Sequence, residues 1–529
     1  MKYQYEGNIV EIIGESDKFL TLSMINDDGS VKEFRKKKPV ELIPIQPESS
    51  CDYNYWITEP YNHQKEFLKW AETHDNLLLR DEPGLGKTKQ TLDLIMNRKR
   101  CGQIKRALIV CGVGGLQYNW LREVKKHTDL TGYILGTKPA NKLGTRTVIG
   151  SNTDKMNDLK NSKADILICN IEFLRHEPAV QQLQLMIARQ EIGMVAVDEC
   201  HKCKNPKAAQ TAGLFALHPP YKMGLTGTPI VNNPIDVFGL SVWMRQERRS
   251  LSKFKEDYAV MGGFKNKEII GWRNLSELGQ RLDEWSLRRL KSVCVDLPPK
   301  VVDTVEIEMT KSQTMLYKEV LKDIRDRKEE ILAAPDPTSR FISLRHVTSC
   351  PNQVLENFKE EDCAKAMELL RRVEEALQNN QKVVIMVWYV TTLKYLNTIL
   401  HKAGIVPALI YGEMSLEDRN RNEQAFQKIP ECKVILGNYQ TMGTGIELTA
   451  ASVLIEYEQP WTAADEIQGQ DRCHRIGQTK SLSVIKLITK NTVDERVNEL
   501  VTNKSEIVDE INEKKALRQF INSVLEDGA

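Results

Sequence analysis

Lys87 closes the run Asp81-Glu82-Pro83-Gly84-Leu85-Gly86-Lys87-Thr88, which follows the apolar stretch Leu77-Leu78-Leu79 and precedes the helix-like Thr91-Leu92-Asp93-Leu94-Ile95. Strand, glycine loop and helix in that order make a cradle for phosphate. Gly84, Leu85 and Gly86 let the backbone wrap closely, and the helix N-terminus aims N–H groups at the anion. Lys87 adds charge for the outer phosphates, and the Thr88 hydroxyl suits Mg2+. The chemistry is that of a nucleoside triphosphate site. The strict pattern G-x-x-x-x-G-K-[ST] opens on glycine, where this chain has Asp81. Taken alone, Gly-x-Gly-Lys-Thr also occurs as a plain structural loop.

Further along, 111 residues after Lys87, the apolar run Met194-Val195-Ala196-Val197 ends in Asp198-Glu199-Cys200-His201. Such a run is a buried parallel strand, and its C-terminal end lies where the phosphate loop lies in a doubly wound sheet. Asp198 is then placed to ligate Mg2+, and Glu199 to orient and deprotonate an attacking water. The bland alternative is a solvated loop with two carboxylates, and the phosphate loop at this distance argues against it.

With these pieces in place, the chain resembles the Swi/Snf-type ATPases of helicase superfamily two, whose D-E-x-G-L-G-K-T loop also lacks the first glycine. Other blocks follow in the family's order. Tyr61-Asn62-His63-Gln64 resembles its adenine-reading glutamine motif, and Leu108-Ile109-Val110-Cys111 through Asn119-Trp120-Leu121-Arg122-Glu123 its motif Ia. Leu225-Thr226-Gly227-Thr228-Pro229 resembles motif III; Arg288-Arg289-Leu290-Lys291 and Leu297-Pro298-Pro299-Lys300 resemble the stretch closing the first lobe. In the second half, Lys382-Val383-Val384-Ile385-Met386 is similar to motif IV and Gly443-Thr444-Gly445-Ile446-Glu447-Leu448 to motif V. Gln468-Gly469-Gln470-Asp471-Arg472-Cys473-His474-Arg475-Ile476-Gly477-Gln478 is similar to motif VI. The resemblance spans roughly residues 55 to 515. Departures are Pro83 where methionine is usual, Cys200 for alanine or glycine, and Gly112 to Gly115 for a proline-containing turn; none removes a catalytic group. Glu456 and Pro460-Trp461 make the second half more similar to the small annealing and fork-remodelling members than to nucleosome remodellers.

The resemblance implies an α/β fold of two recA-like parallel-sheet lobes. It implies ATP and Mg2+ as cofactors, with Gln64, Gly443 and Gln468 at the nucleotide and His201 relaying between the metal end of the strand and Thr226 or Thr228, beside Gly227. It also implies backbone grip points on DNA, at Gly114, Asn119 and Trp120 and at Gln440, Thr441 and Thr444. Arg472 and Arg475 are three apart, which on a helix puts both on one face; aimed at the γ-phosphate, such cations stabilise the charge of phosphoryl transfer.

The remaining sequence must position these groups. In 529 residues with 41% apolar content there is material for several domains. Lys plus Arg number 74 and Asp plus Glu 72, so overall charge advertises no polyanion partner and DNA binding must use local cations. Eleven cysteines at scattered spacings and an opening Met1-Lys2-Tyr3-Gln4 without leader character point to a reducing compartment. With no bromodomain-like or chromodomain-like appendage and only a short N-terminal module, the expectation is a bacterial or viral protein, cytoplasmic rather than nuclear. No apolar stretch approaches the ~20 residues a bilayer needs. Cys200-His201-Lys202-Cys203 contains a C-x-x-C, but no second pair at finger spacing completes a zinc site.

Residues 1–48 suggest a small antiparallel β module, with Asn26-Asp27-Asp28-Gly29 as a hairpin turn and the cations Arg35-Lys36-Lys37-Lys38 after its strands, either touching phosphate or merely solvated. From 52 to 310, apolar runs at Asn76–Leu79, Ala107–Val110, Ile166–Cys169, Met194–Val197 and Lys222–Leu225 alternate with helical patterns, the βαβ rhythm of a parallel sheet. The family places a helical insertion at about 235–292, returning to the first lobe through Val301 to Met309. A charged helix Lys311–Leu332, broken at Ala333-Ala334-Pro335-Asp336-Pro337, opens a linker to 363. A second lobe at 364–490 follows, with strands at Val383–Val387, Ala408–Tyr411, Val434–Leu436, Ser452–Glu456 and Val484–Leu487. Thr492-Val493-Asp494-Glu495 starts a brace helix in the segment 491–529.

The leading expectation is a monomeric ATPase motor tracking double-stranded or branched DNA without sequence preference. Alternatives are a strand-separating helicase on DNA or RNA and an inactive nucleotide- and DNA-binding scaffold. The sequence names no protein partner.

Overall fold

The computed structural model describes residues 52–112, 115–139, 147–203, 208–227, 234–262, 268–326, 342–443 and 445–503. It also describes the N-terminal strands Lys2–Tyr5, Asn8–Glu15, Phe19–Ile25, Val31–Lys37 and Ile43–Pro44. The chain divides into two compact units, Met1–Cys294 and Val295–Ala529.

The first unit is built on a seven-stranded sheet in the order Ser286–Leu287, Asn76–Leu79, Tyr221–Leu225, Met194–Val197, Ala107–Cys111, Ile166–Asn170, Gly132–Ile134, every pair parallel. A parallel sheet needs both faces covered, which is why its strands read as unbroken apolar runs. Successive side chains go to opposite faces. Leu78, Val195 and Val197 join one core with Leu183, Leu240 and Trp243, whereas Leu77, Leu79, Met194 and Ala196 join another with Phe67, Leu92, Trp120 and Val124. The insertion is not wholly helical. Between the helices Leu251–Tyr258 and Leu275–Asp283 lies an antiparallel ribbon, Ala259–Gly262 with Glu268–Trp272, and the chain then rejoins the sheet through Ser286–Leu287.

Within the same unit the N-terminal strands form an antiparallel sheet in the order Val31–Lys37, Phe19–Ile25, Asn8–Glu15, Lys2–Tyr5, Ile43–Pro44. Arg35, Lys36 and Lys37 lie inside its edge strand, paired in register with Thr21, Leu20 and Phe19, and so do not follow the strands as a loop. Lys38 and the Asn26–Gly29 turn fall outside the described residues, as do Ala333–Pro337 and everything beyond 503.

The second unit carries a six-stranded parallel sheet in the order Lys300–Ile307, Leu482–Thr489, Val453–Glu456, Val383–Val387, Val434–Asn438, Ala408–Ile410. Lys300–Ile307 corrects the expectation that this stretch returns to the first lobe: it pairs along its whole length with Leu482–Thr489. Its burial explains the placement. Only Ile307 is fully buried, packing with Val383, Ile385 and Ile485, so the strand suits a sheet edge. The helix Val493–Asn503 packs with Leu316, Tyr317, Ile324, Leu344 and Val347 of the preceding linker helices, and Lys365 and Asp494 pin it through a buried ion pair at 2.6 Å. Among the described residues no helix is long and apolar enough to cross a membrane.

Candidate active site

The phosphate loop departs from the end of the strand Asn76–Leu79 and enters the helix Lys87–Arg100. Gly84 and Gly86 take φ of 91° and 77°, which only glycine adopts without strain. A Cβ on Gly86 would also run into the side-chain amide of Gln64. That amide donates to the Leu85 carbonyl at 3.2 Å and accepts from Tyr61 N at 3.1 Å; His63 Nε2 donates to the same Leu85 carbonyl at 2.9 Å. Both ends of the Gln64 amide are therefore engaged inside the protein, where they support the loop. Burial lowers the His63 imidazole, which favours its neutral form. Lys87 Nζ donates to the Asp81 carbonyl at 2.7 Å, across the mouth of its own loop.

Asp198 follows Met194–Val197 directly, and its N–H continues the sheet by donating to Val110 O at 2.8 Å. Its Oδ1 accepts from Glu199 N at 3.0 Å and its Oδ2 from Trp120 Nε1 at 2.9 Å. Glu199 turns the chain with φ of 49°, an uncommon conformation for a glutamate. Burial, and then the charge of Glu199, push the Asp198 carboxyl up to about 6, against the Trp120 hydrogen bond and Lys87. Burial works to raise Glu199 as well, but His201 beside it, Lys87 and Lys202 outweigh that and hold its carboxyl below the usual value. Lys87 thus acts on both carboxylates, which ties the loop and the strand end into one electrostatic unit.

His201 Nδ1 lies 3.3 Å from Glu199 Oε2 and 3.1 Å from Thr226 Oγ1. The structure therefore brings His201 between the Glu199 carboxylate and the motif III threonine. Gly227 comes closer still to the loop, since a Cβ there would stand 2.8 Å from Pro83 Cγ and 3.3 Å from Lys87 Nζ. Thr228 lies outside the described residues. Cys200 and Cys203 are buried, and burial pushes both thiols up, Cys203 to about 12.

The donors suit magnesium. Asp198 offers a carboxylate and Thr88, second residue of the loop helix, a hydroxyl, both hard oxygen ligands. Among the described residues no group of three or more His, Cys, Asp or Glu could enclose a metal unaided.

Trp120 is not a DNA-facing residue. It lies on the helix Gly115–His127 but is 1% exposed, packed in the first unit's core with its indole on Asp198. The spacing Gln117, Trp120, Val124, His127, all buried, is the inward face of that helix, and this i, i+3, i+4 pattern was present in the sequence. Asn119 is partly exposed and accepts from Arg122 at 2.6 Å. Gly114 lies outside the described residues.

In the second unit, motifs V and VI meet. Arg472 donates to the Gly443 carbonyl at 2.5 Å, and a Cβ on Gly443 would lie 3.8 Å from Gln468 Oε1. Arg472 and Arg475 do not share a helical face as expected, because the helix Ala463–Cys473 ends before Arg475. His474 leaves the helix to bond Pro298 O at 2.8 Å, and the chain turns back at Gly477 with φ of 102°. Gln440 is exposed and Thr441 partly so, on the short helix Tyr439–Met442; Thr444 lies outside the described residues.

Arg289 belongs to the loop as well as to the stretch that closes the first lobe. Arg289 grips Asp81 through both carboxylate oxygens, at 3.0 and 2.5 Å, and Gln90 Oε1 at 2.6 Å. An aspartate at the glycine position of a buried loop demands a cation, but 208 residues of separation hid which one.

A family model for the SNF2-related domain matches residues 63–382, and one for the helicase conserved C-terminal domain matches 364–477. An uncharacterized ATP-dependent helicase of Mycoplasma genitalium is 27% identical over 482 residues, covering 89% of this chain and 43% of that protein. A probable chromatin-remodeling complex ATPase chain of Oryza sativa is 26% identical, with 83% and 39% covered. The solved SWI2/SNF2 ATPase core of Sulfolobus solfataricus in complex with dsDNA aligns at 22% identity and a TM-score of 0.38, covering 89% of this chain and 97% of that one. The chain spans about two-fifths of the length of these curated relatives. With the SNF2-related model covering more than half its length and the loop, carboxylate and motif III groups gathered at one end of a parallel sheet, the chain belongs to the SNF2 family of helicase superfamily two.

Proposed function

We propose that this protein is a DNA-dependent ATPase motor that moves along double-stranded DNA and remodels protein–DNA complexes or branched and forked DNA. The observation that carries the ATPase is the convergence of Lys87, Asp198, Glu199 and His201, with Lys87 bearing electrostatically on both carboxylates and His201 between Glu199 and Thr226. Lys87 neutralises the outer phosphates. Thr88 and Asp198 would hold Mg2+, which would supply neutralisation of the phosphate charge. Glu199, kept ionised by its cationic neighbours, orients and deprotonates the water, while Gln64 supports the loop. For Gly443 and Gln468 a nucleotide role is taken from the family's motifs V and VI. His201 passes the state of Glu199 to Thr226, beside Gly227. Arg472 and Arg475 contribute positive charge to the transition state, a role taken from the family's motif VI.

DNA is the substrate of the motion, gripped through its backbone near Asn119 and Gly114 and near Gln440, Thr441 and Thr444. Contacts of small polar groups and amides to phosphate carry no sequence information, so binding is sequence-tolerant and salt-sensitive. The names of relatives, an ATP-dependent helicase and a chromatin-remodeling ATPase, support a nucleic-acid motor.

ATPase rates on duplex, single-stranded and forked DNA and on RNA, together with displacement of a triplex-forming third strand, test the reading. Duplex stimulation with ATP-driven third-strand removal is expected. Stimulation by single strands with unwinding of a tailed duplex assigns a strand-separating helicase instead, and a rate that no nucleic acid alters overturns both.

A further inference from the structure

Asp81 occupies the position where the strict phosphate loop has glycine, and it is wholly buried. Its carboxylate is the centre of a closed ring. Arg289 Nε and Nη2 donate to Oδ1 and Oδ2, Gln90 Nε2 from the loop helix donates to Oδ2 at 3.1 Å, and Arg289 Nη2 donates on to Gln90 Oε1. The remaining arm of the guanidinium reaches the His63 carbonyl, so the glutamine motif enters the same ring. The backbone of Asp81 faces the other way, with its carbonyl receiving Lys87 Nζ. One residue therefore connects the arginine, on its side chain, to the phosphate-binding lysine, on its main-chain carbonyl.

The arginine does not act from an isolated position. Its whole segment is zipped along the edge of the loop strand: Leu78 N donates to Trp285 O at 3.1 Å, Arg80 N to Leu287 O at 2.8 Å and Glu82 N to Arg289 O at 3.1 Å. In return Lys291 N donates to Glu82 Oε2 at 2.7 Å. Three residues later, at Cys294, the first compact unit ends. The last segment of that unit is thus fastened to the two residues that open the phosphate loop.

We propose that Arg289 is a positioning residue for nucleotide binding: by clamping Asp81 against Gln90 it holds the loop, and with it Lys87, in phosphate-binding form, and it makes the segment leaving the first unit part of the loop's support. The proposal rests on the loop being the triphosphate site. A planar fork is needed, because one ammonium cannot reach two carboxylate oxygens, an amide oxygen and a carbonyl together.

The test measures mant-ADP affinity, ATP KM and kcat on the full chain carrying Arg289→Ala, Arg289→Lys, Lys87→Ala, and Asp81→Gly combined with Arg289→Ala. Arg289→Ala should weaken mant-ADP binding and raise KM about tenfold, with kcat at saturating ATP changed less than threefold. Arg289→Lys should recover only part of the loss. The double variant should recover most of it, because removing the buried carboxylate removes the group that needs the arginine. Wild-type affinity and KM in Arg289→Ala, or full recovery by lysine, overturns the proposal, as does a double variant no better than the single. Should Arg289→Ala fail to fold, Arg289→Lys and the double variant decide by the same criteria. Lys87→Ala reports on the underlying site: if it binds mant-ADP like the wild type, the loop assignment fails, whatever Arg289 does.

Discussion

The indole of Trp120 donates to Asp198 Oδ2 at 2.9 Å, so the helix Gly115–His127 holds from behind the carboxylate proposed to ligate magnesium. Outer partners of this kind fix a ligand's orientation and commonly contribute roughly 10–100-fold to metal affinity. Trp120→Phe keeps an aromatic ring, though a smaller one, and loses the donor. The Mg2+ concentration for half-maximal ATPase should rise about tenfold, and Mn2+ binding followed by EPR with ADP present should weaken in parallel. Unchanged Mn2+ affinity would show that the contact is only packing.

Lys87→Ala removes the charge placed for the outer phosphates. ATP turnover should fall to background while the circular dichroism spectrum and melting temperature hold, since Lys87 is partly exposed and lies at a helix start.

Glu199→Gln preserves shape and loses the base. It should bind ATP and DNA normally but hydrolyse on the order of 10²–10⁴ more slowly. Near-normal hydrolysis would move water activation to another group.

Gly227→Ala inserts a methyl 2.8 Å from Pro83 Cγ and 3.3 Å from Lys87 Nζ. The loop must shift to admit it, so the ATP KM should rise several-fold with little change in melting temperature. A KM equal to wild type would mean that the loop yields freely at Pro83.

Glu456, wholly buried in the second unit, has its carboxyl pushed up to about 8, by burial first and then by the charge of Glu466. Gln470 donates to its Oε1 at 3.1 Å, Lys486 pairs with Glu466, and Tyr439 lies alongside. Because the folded value stands above the unfolded one, the folded state binds more protons. The stability from neutral burial is complete below the unfolded value near 4.5 and is lost as pH rises through about 8. Glu456→Gln should flatten that decline, raising the melting temperature by a few degrees at pH 8.5 and hardly at pH 5. A parallel decline in both proteins would place the titration elsewhere.

The central strands of both sheets were legible because burial on two faces leaves an unmistakable apolar run, as in Met194–Val197 and Val383–Val387. Short or edge strands were not. Gly132–Ile134 and Ser286–Leu287 are too brief for a periodic signal, and Lys300–Ile307 is so exposed that only its pairing reveals its sheet. The site divides in the same way. Lys87, Asp198 and His201 announce themselves by local pattern, whereas the duties of Trp120 and Arg289 depend on partners 78 and 208 residues away. The family motif placed Trp120 at the DNA, and its own helical periodicity, which pointed inward, was the better guide.

The register of the second sheet has a consequence for synthesis. Lys300 pairs with Leu482, so the first strand of that sheet waits for a partner made 182 residues later. At ~5–20 residues per second the wait is roughly 10–40 s. During it, Val301 and Val302 stand on a nascent strand with neither edge paired, a template for wrong partners until Leu482–Thr489 emerges. Truncation just before Leu482 therefore removes two ladders at once, that to Lys300–Ile307 and that to Val453–Glu456, and leaves the earliest strand of the sheet with no partner.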